Sequence, residues 1–154
     1  GLKIPNSAIV EKEFYLVPKG FKIQQNEEEG FLKEVYDENG QPSAEFVVLT
    51  LYYEDDENYY IDPRESDFST GKEKLPIGTY LVQEDTQERF QIGMNRTLQG
   101  VYNINKGYAV FRQVHILCES DEYYIVEAGS DYGLSNYDHI ALNGADVNEN
   151  DVVF

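Results

Sequence analysis

"FVVLTLYYEDDENYYID" occupies residues 46–62, and its reading decides the fold class. The stretch is a run of β-branched and aromatic strand formers, then four acids, then a tyrosine pair. Further along, "VFRQVHILCESDEYYIVE" (110–127) writes nearly the same phrase again. A single acidic site needs its carboxylates once. A scaffold built from hairpins repeats its turns.

The rest of the chain follows the same style. No stretch keeps a helical period, while short apolar or alternating runs recur between turn residues, which predicts an all-β protein. Candidate strands lie at 2–10, 13–18, 31–37, 44–53, 58–62, 79–84 and 88–93, then at 100–105, 108–118, 122–129, 139–144 and 151–154. "DENG" (37–40) carries Asn39-Gly40, the favoured type I′ hairpin dipeptide, and "NKG" (105–107) offers a similar reversal. The prolines fall at strand starts or connections, where a missing N–H is tolerated. Residues 22–30 ("KIQQNEEEG") and 63–74 read as the least structured stretches, and 132–138 as room for a single turn.

The repeat extends beyond the opening phrase. Leu32, Val35, Tyr36 and Asn39 match Leu98, Val101, Tyr102 and Asn105, and Ala44 and Phe46 match Ala109 and Phe111. Glu54, Asp56 and Glu57 match Glu119, Asp121 and Glu122, followed by Tyr59-Tyr60-Ile61 against Tyr123-Tyr124-Ile125. We read a tandem duplication of a unit of roughly 65 residues, longer than a solenoid repeat. The expected architecture is two related β-roll or barrel-like units, 1–86 and 87–154, or one shared pseudo-symmetric domain.

Composition narrows the function. The net charge is −17 across 154 residues, so the Lys and Arg clusters that bind phosphate backbones are lacking and nucleic acid is excluded as a partner. Docking on an anionic lipid surface is disfavoured for the same reason. The single cysteine, Cys118, permits no disulfide within the chain, and its setting in "QVHILCE" reads as a small buried hydrophobe. No apolar run approaches the length of a membrane helix. The chain opens on Gly1 rather than Met, and we expect a fragment whose targeting segment lies upstream.

No residue set announces catalysis. His115 and His139 lie far apart, and no G-x-S-x-G elbow or phosphate-binding glycine motif occurs. "DVNEND" (146–151) resembles part of a calcium loop but lacks its mid-loop glycine and closing glutamate. We therefore expect no metal and no cofactor. The tyrosines could stack on sugars, but in a β protein they are commonly cross-strand packing residues.

Three stretches taken together resemble a known family. "LKIPNSAIV" (2–10) resembles the opening strand of the membrane-proximal domain in HlyD-type periplasmic adaptors, also called membrane fusion proteins, through Ile4, Pro5, Ala8 and Ile9. "GVYNINKGYAVFRQVHI" (100–116) resembles their next hairpin, with Gly100, Val101, Tyr102, Gly107, Ala109 and Phe111 in place. "YGLSNYDHIALNGADVNENDVVF" (132–154) resembles their closing segment, through Gly133-Leu134, Asp138, Ile140, Asn143-Gly144, Asp151 and Val152. In the usual pattern the proline strand leads almost directly to the Gly-Val hairpin, and here a long insertion intervenes.

The resemblance implies a non-enzymatic domain outside the cytoplasmic membrane, anchored through an upstream segment. Its partners would be an ABC- or RND-type transporter subunit and other adaptor protomers. No family motif marks docking residues. The physical candidates are the acids Glu54, Asp55, Asp56 and Glu57, with Tyr132 and Tyr137 on later loops, acting by electrostatic steering and aromatic anchoring. The alternatives are a cell-surface β module that binds a glycan or small ligand through its tyrosines, and a hydrolase that uses clustered acids.

Overall fold

The computed structural model describes residues 1–127, 133 and 139–151. It is all-β, with 51% of residues in strands, no helix as long as seven residues, and sheets of nearly closed and half-barrel form. The strands run β1 (Leu2–Pro5), β2 (Val10–Pro18), β3 (Lys22–Gln25), β4 (Glu28–Tyr36), β5 (Pro42–Val47), β6 (Tyr53–Glu54) and β7 (Asn58–Ile61). They continue with β8 (Tyr80–Val82), β9 (Arg89–Gln91), β10 (Asn95–Asn105), β11 (Tyr108–Gln113), β12 (Ile116–Glu119) and β13 (Tyr123–Val126).

The chain divides into two compact units, one of residues 1–12 and 97–154, the other of residues 13–96. The cuts fall at 12/13 and 96/97, whereas the sequence reading divides the chain at 86/87. The reason is β1. It pairs antiparallel with β13, Leu2 opposite Val126 and Pro5 opposite Tyr123, so the proline strand lies with the C-terminal residues.

In the first unit β13 also pairs with β12, and β10 with β11 in a hairpin closed by Lys106 and Gly107. Both turn residues have positive φ, 52° and 84°, the two left-handed positions of a type I′ reversal. Ile4, Ala8, Val101, Val114 and Val126 form its core. Burying each large apolar side chain contributes about 1.5–3 kcal/mol. The described part of the closing segment, 139–151, bonds back to this unit. Ile104 N–H donates to His139 O, Ala141 N–H to Tyr102 O, and Ser7 Oγ to Leu142 O at 2.5 Å. Glu149 accepts from Phe111 N–H at 2.8 Å and faces the buried Lys12 Nζ at 3.5 Å.

In the second unit β4 carries β3 and β8 in separate registers and pairs with β5 along Phe31–Tyr36, while β8 continues to β9. Separately, β7 joins β2 to β6. The core gathers Val17, Phe31, Ile61, Leu75, Leu81 and Ile92, among others.

Several local expectations are corrected. Residues 22–30 form the β3–β4 hairpin, turned at Asn26 and Glu27, both with positive φ. Glu27 sits in the turn, and Glu28 and Glu29 form the exposed start of β4. Asn39-Gly40 is not a two-residue type I′ turn. Only Gly40 has positive φ, and Asp37 Oδ1 accepts from the N–H groups of Asn39 and Gln41, which builds a longer connection over 37–41. The run 44–53 breaks after Val47, because Leu49 and Tyr52 turn into the core between β5 and β6. Residues 139–144 give a single bridge at Ile140 and lead into a 3-10 turn (Gly144–Asp146). Cys118 is exposed on β12, not buried. Residues 128–129 of the strand expected at 122–129, residues 132 and 134–138 of the expected turn, and residues 152–154 of the last expected strand lie outside the described residues.

The letters matched between β4 and β10 do not occupy matched environments. Tyr36 is 58% exposed on β4, whereas its match Tyr102 is buried on β10. The hairpin registers explain this: Leu32 stands opposite Phe46, but Tyr102 stands opposite Phe111. The structure does not show a duplication.

Gly100 stands where the Phe111 ring and the Arg112 carbonyl cross β10 so closely that a Cβ would overlap both. Overpacking of this kind costs about 1–3 kcal/mol. Gly100→Ala is expected to lower the urea midpoint accordingly. Gly93→Ala, where a Cβ meets nothing within 4 Å, is expected to leave it nearly unchanged.

Candidate functional site

The acidic turn 54–57 joins β6 to β7, and its four carboxylates play different parts. Asp55 is tied into the protein. Its Oδ1 accepts from the N–H groups of Glu57 (2.9 Å) and Asn58 (2.8 Å), and its Oδ2 accepts from the Tyr60 hydroxyl (3.0 Å) and Arg96 Nη1 (3.3 Å). Glu54 lies 3.2 Å from Lys19 Nζ. That pair is more than a third exposed on each side and contributes little. Asp56 and Glu57 are exposed. So only two of the four acids face solvent freely enough to meet a partner. Tyr132 and Tyr137 lie outside the described residues.

The charges around Asp55 balance. The backbone N–H of Glu57, then that of Asn58, the Tyr60 hydroxyl and the Arg96 cation hold its carboxyl below the usual aspartate range. Burial, then the Asp55 partnership, raises the Tyr60 phenol, while the Tyr60 contact raises Arg96. Nothing here resembles a poised acid–base pair, because each shift strengthens the charge state the group already has at neutral pH.

The second acidic turn makes the same point. Between β12 and β13, Ser120 takes the place of Asp55: its Oγ accepts from Tyr123 N–H at 3.3 Å, and Ser120 N–H donates to Tyr123 O at 2.8 Å, as Asp55 N–H does to Asn58 O. A hydroxyl can close this turn, so the turn itself needs an oxygen acceptor and not a negative charge, while Asp55 in addition holds Tyr60 and Arg96. Asn6, from the turn after β1, adds bonds from Nδ2 to the carbonyls of Ser120 and Asp121.

The "DVNEND" carboxylates are likewise turned to protein partners: Asp146 to Asn143 Nδ2, Asp151 to Asn148 N–H, and Glu149 to Phe111 N–H and Lys12. Among the described residues no group of three or more His, Cys, Asp or Glu side chains is placed to hold a metal ion. His115 and His139 are both exposed.

The opening tyrosines pack. Tyr52, Tyr59 and Tyr60 are buried; Tyr60 meets Tyr53 edge-on at 5.3 Å, and Phe14 meets Tyr52 at 5.1 Å. Lys22 Nζ sits 4.8 Å from the Tyr59 ring centre.

A different feature escaped the sequence reading. A groove of about 440 Å³ runs between β5 and the loop 67–74, lined by Lys33, Phe46, Val48, Lys72 and Lys74 among others. The loop is ordered by Asp67, whose Oδ1 accepts from Ser69 N–H, Ser69 Oγ and Thr70 N–H, and at its tip Phe68 is fully exposed. The available signal was "KEK" at 72–74, a lysine pair in a strongly acidic chain. No protein-family model, no curated protein and no solved structure matches the chain.

Asp55→Ala removes the acceptor for four donors, at an expected cost of about 1–3 kcal/mol. Asp55→Ser is expected to cost less, since Ser120 performs the same task, and Asp56→Ala to stay within about 0.5 kcal/mol. Because the folded pKa of Asp55 is depressed, its contribution is complete above the unfolded value of about 3.9 and is lost as pH falls through the folded value. Urea unfolding of the unaltered chain and Asp55→Ser at pH 7 and at pH 2.5 checks the sign: the difference between them must shrink in acid.

Proposed function

We propose that this chain is a non-enzymatic extracytoplasmic adaptor domain of a bacterial export system that docks on an ABC- or RND-type transporter alongside other adaptor protomers. One observation carries the reading. The family-like stretches at 2–10 and 100–116, with the described part of the closing segment, are distant in sequence yet assemble into one compact unit, while the inserted stretch forms a unit of its own. Three stretches that resemble parts of one domain are expected to lie together if the resemblance holds, whereas a chance set of weak matches carries no such expectation.

Partner binding is also supported by what the unit leaves in water. Tyr108 (51%), Leu117 (55%) and Leu142 (65%) are large apolar side chains left exposed among the described residues. Exposed side chains of this kind are what a partner surface buries, and they give the contact residues to test. The acids of 54–57 enter the proposal only through Asp56 and Glu57, as steering charges.

The test places a photo-crosslinking residue at Leu117 or Leu142 in the protein made in its own cells. The expected adduct contains a transporter subunit or a second adaptor protomer, and deletion of the gene is expected to impair export of that transporter's substrate. Intact export after deletion, with no adduct to either protein, overturns the reading.

A further inference from the structure

The open edge of β5 stands out once its hydrogen bonds are counted. β5 pairs with β4 on one side, and no strand among the described residues pairs with its other side. In an antiparallel ladder, alternate residues turn their N–H and C=O toward the partner. Two observations set the phase. Pro42, opposite Tyr36, has no N–H to give, and the Asp37 N–H to Gln41 O bond begins the ladder one step earlier. Ser43, Glu45 and Val47 therefore bond to β4. Ala44 and Phe46 turn their N–H and C=O outward. The Val47 carbonyl, which lies against Gly30 of β4, agrees with this phase.

An unpaired strand edge is a template for a further strand. This one opens on the groove described above, whose far wall is the loop 67–74. The volume lies within the ordinary range for a ligand site. The loop is held against the sheet, since Lys74 Nζ donates to Val48 O and to Glu65, and Lys33 Nζ donates to Lys74 O. Phe68 projects from the same turn, between the lining residues Asp67 and Thr70.

The charges select the occupant. Lys33, Lys72 and Lys74 stand in the groove against Glu45, Asp67 and Glu73, a net of zero in a chain of −17. An acidic segment is repelled by the surrounding surface, and a basic one is drawn to that surface everywhere. A second copy pairing about the outward residues 44 and 46 would set Glu45 opposite Glu45 and bring two chains of −17 together. We propose that the β5 edge takes up an extended segment of a partner protein by strand addition, a segment of low net charge with apolar side chains at alternate positions. Its backbone pairs with Ala44 and Phe46, and its apolar side chains lie along Phe46 and Val48. The proposal does not rest on the adaptor reading.

The test needs no variant to begin. In the chain alone, amide hydrogen exchange is expected to be fast at Ala44 and Phe46 and slow at Glu45 and Val47. Slow exchange at Ala44 and Phe46 overturns the open edge. The same protection appearing only at high concentration, with a dimer in sedimentation, assigns the edge to a second copy and overturns the partner reading.

A capped decapeptide alternating valine and serine is then titrated by NMR. Expected are shifts confined to 43–48 and 67–74, with affinity falling about tenfold or more when alternate peptide nitrogens are methylated or when glutamate replaces serine. Ala44→Pro, which removes an outward N–H that β4 does not use, is expected to abolish the shifts while the β4–β5 amides stay protected. Should Ala44→Pro disturb the fold, the methylated peptide carries the same test. Absence of binding, shifts elsewhere, or indifference to both changes overturns the proposal.

Discussion

The pairing of β1 with β13 is the constraint on which the first unit depends. Leu2 meets Val126 from far along the chain, and the ladder is only four residues long. So short a pairing cannot offset the closure of so long a loop by hydrogen bonds alone. It holds because Ile4 and Val126 are buried beside Val101 and Val114, and because the next residues are used at once. Asn6 bonds the β12–β13 turn, Ser7 bonds the closing segment, and Ala8 lies so close to Gly144 that a Cβ there would overlap its carbonyl. Contacts this distant in sequence form late in folding. The N-terminal residues are thus the piece that completes the first unit.

The two acidic phrases share a turn geometry for a local reason. A short antiparallel connection has N–H groups that its strands cannot satisfy, and a side-chain oxygen at the first turn position satisfies two of them. Asp55 and Ser120 occupy that position in their two turns. The shared requirement therefore falls on the one turn position where the letters differ, Asp55 and Ser120, and the matched acids and tyrosines around it are not explained by it. The matched Tyr36 and Tyr102 differ in another way, one exposed and the other buried.

The fold class was legible because period-two alternation and turn residues are local properties that tertiary packing had no reason to overrule. β2 shows this: Lys12, Phe14 and Leu16 are buried and their neighbours are not, until Val17 joins them. Legibility failed where two local rules competed. At 37–41 the Asp37 side chain outbid the Asn-Gly dipeptide. At 26–27 the hairpin accepted left-handed Asn and Glu without a glycine, so no turn signal was written. It also failed where partners are distant. Nothing in the letters ties Arg96 to Asp55, or Lys12 to Glu149, and the groove depends on how a loop returns to β5.

Acidity itself becomes more specific once the partners are known. The chain has 12 cationic side chains against 29 acidic ones. Many of the cations are already committed inside their unit: Lys12 to Glu149, Lys19 to Glu54, Lys22 to Glu29, Lys74 to Glu65, Arg89 to Glu34 and Arg96 to Asp55. The Arg89 guanidinium also stacks 3.8 Å from the Tyr80 ring centre, a placement that a lysine would not reproduce. What reaches outward is therefore mostly unpaired carboxylate, a long-range field that repels copies of the chain and other acidic surfaces. Against such a field, specificity comes from the few places where it is cancelled. The groove beside β5 is one, since three lysines offset three acids there. A uniformly neutral surface would make such a patch unremarkable. On this chain it is a local exception to the repulsion that surrounds it.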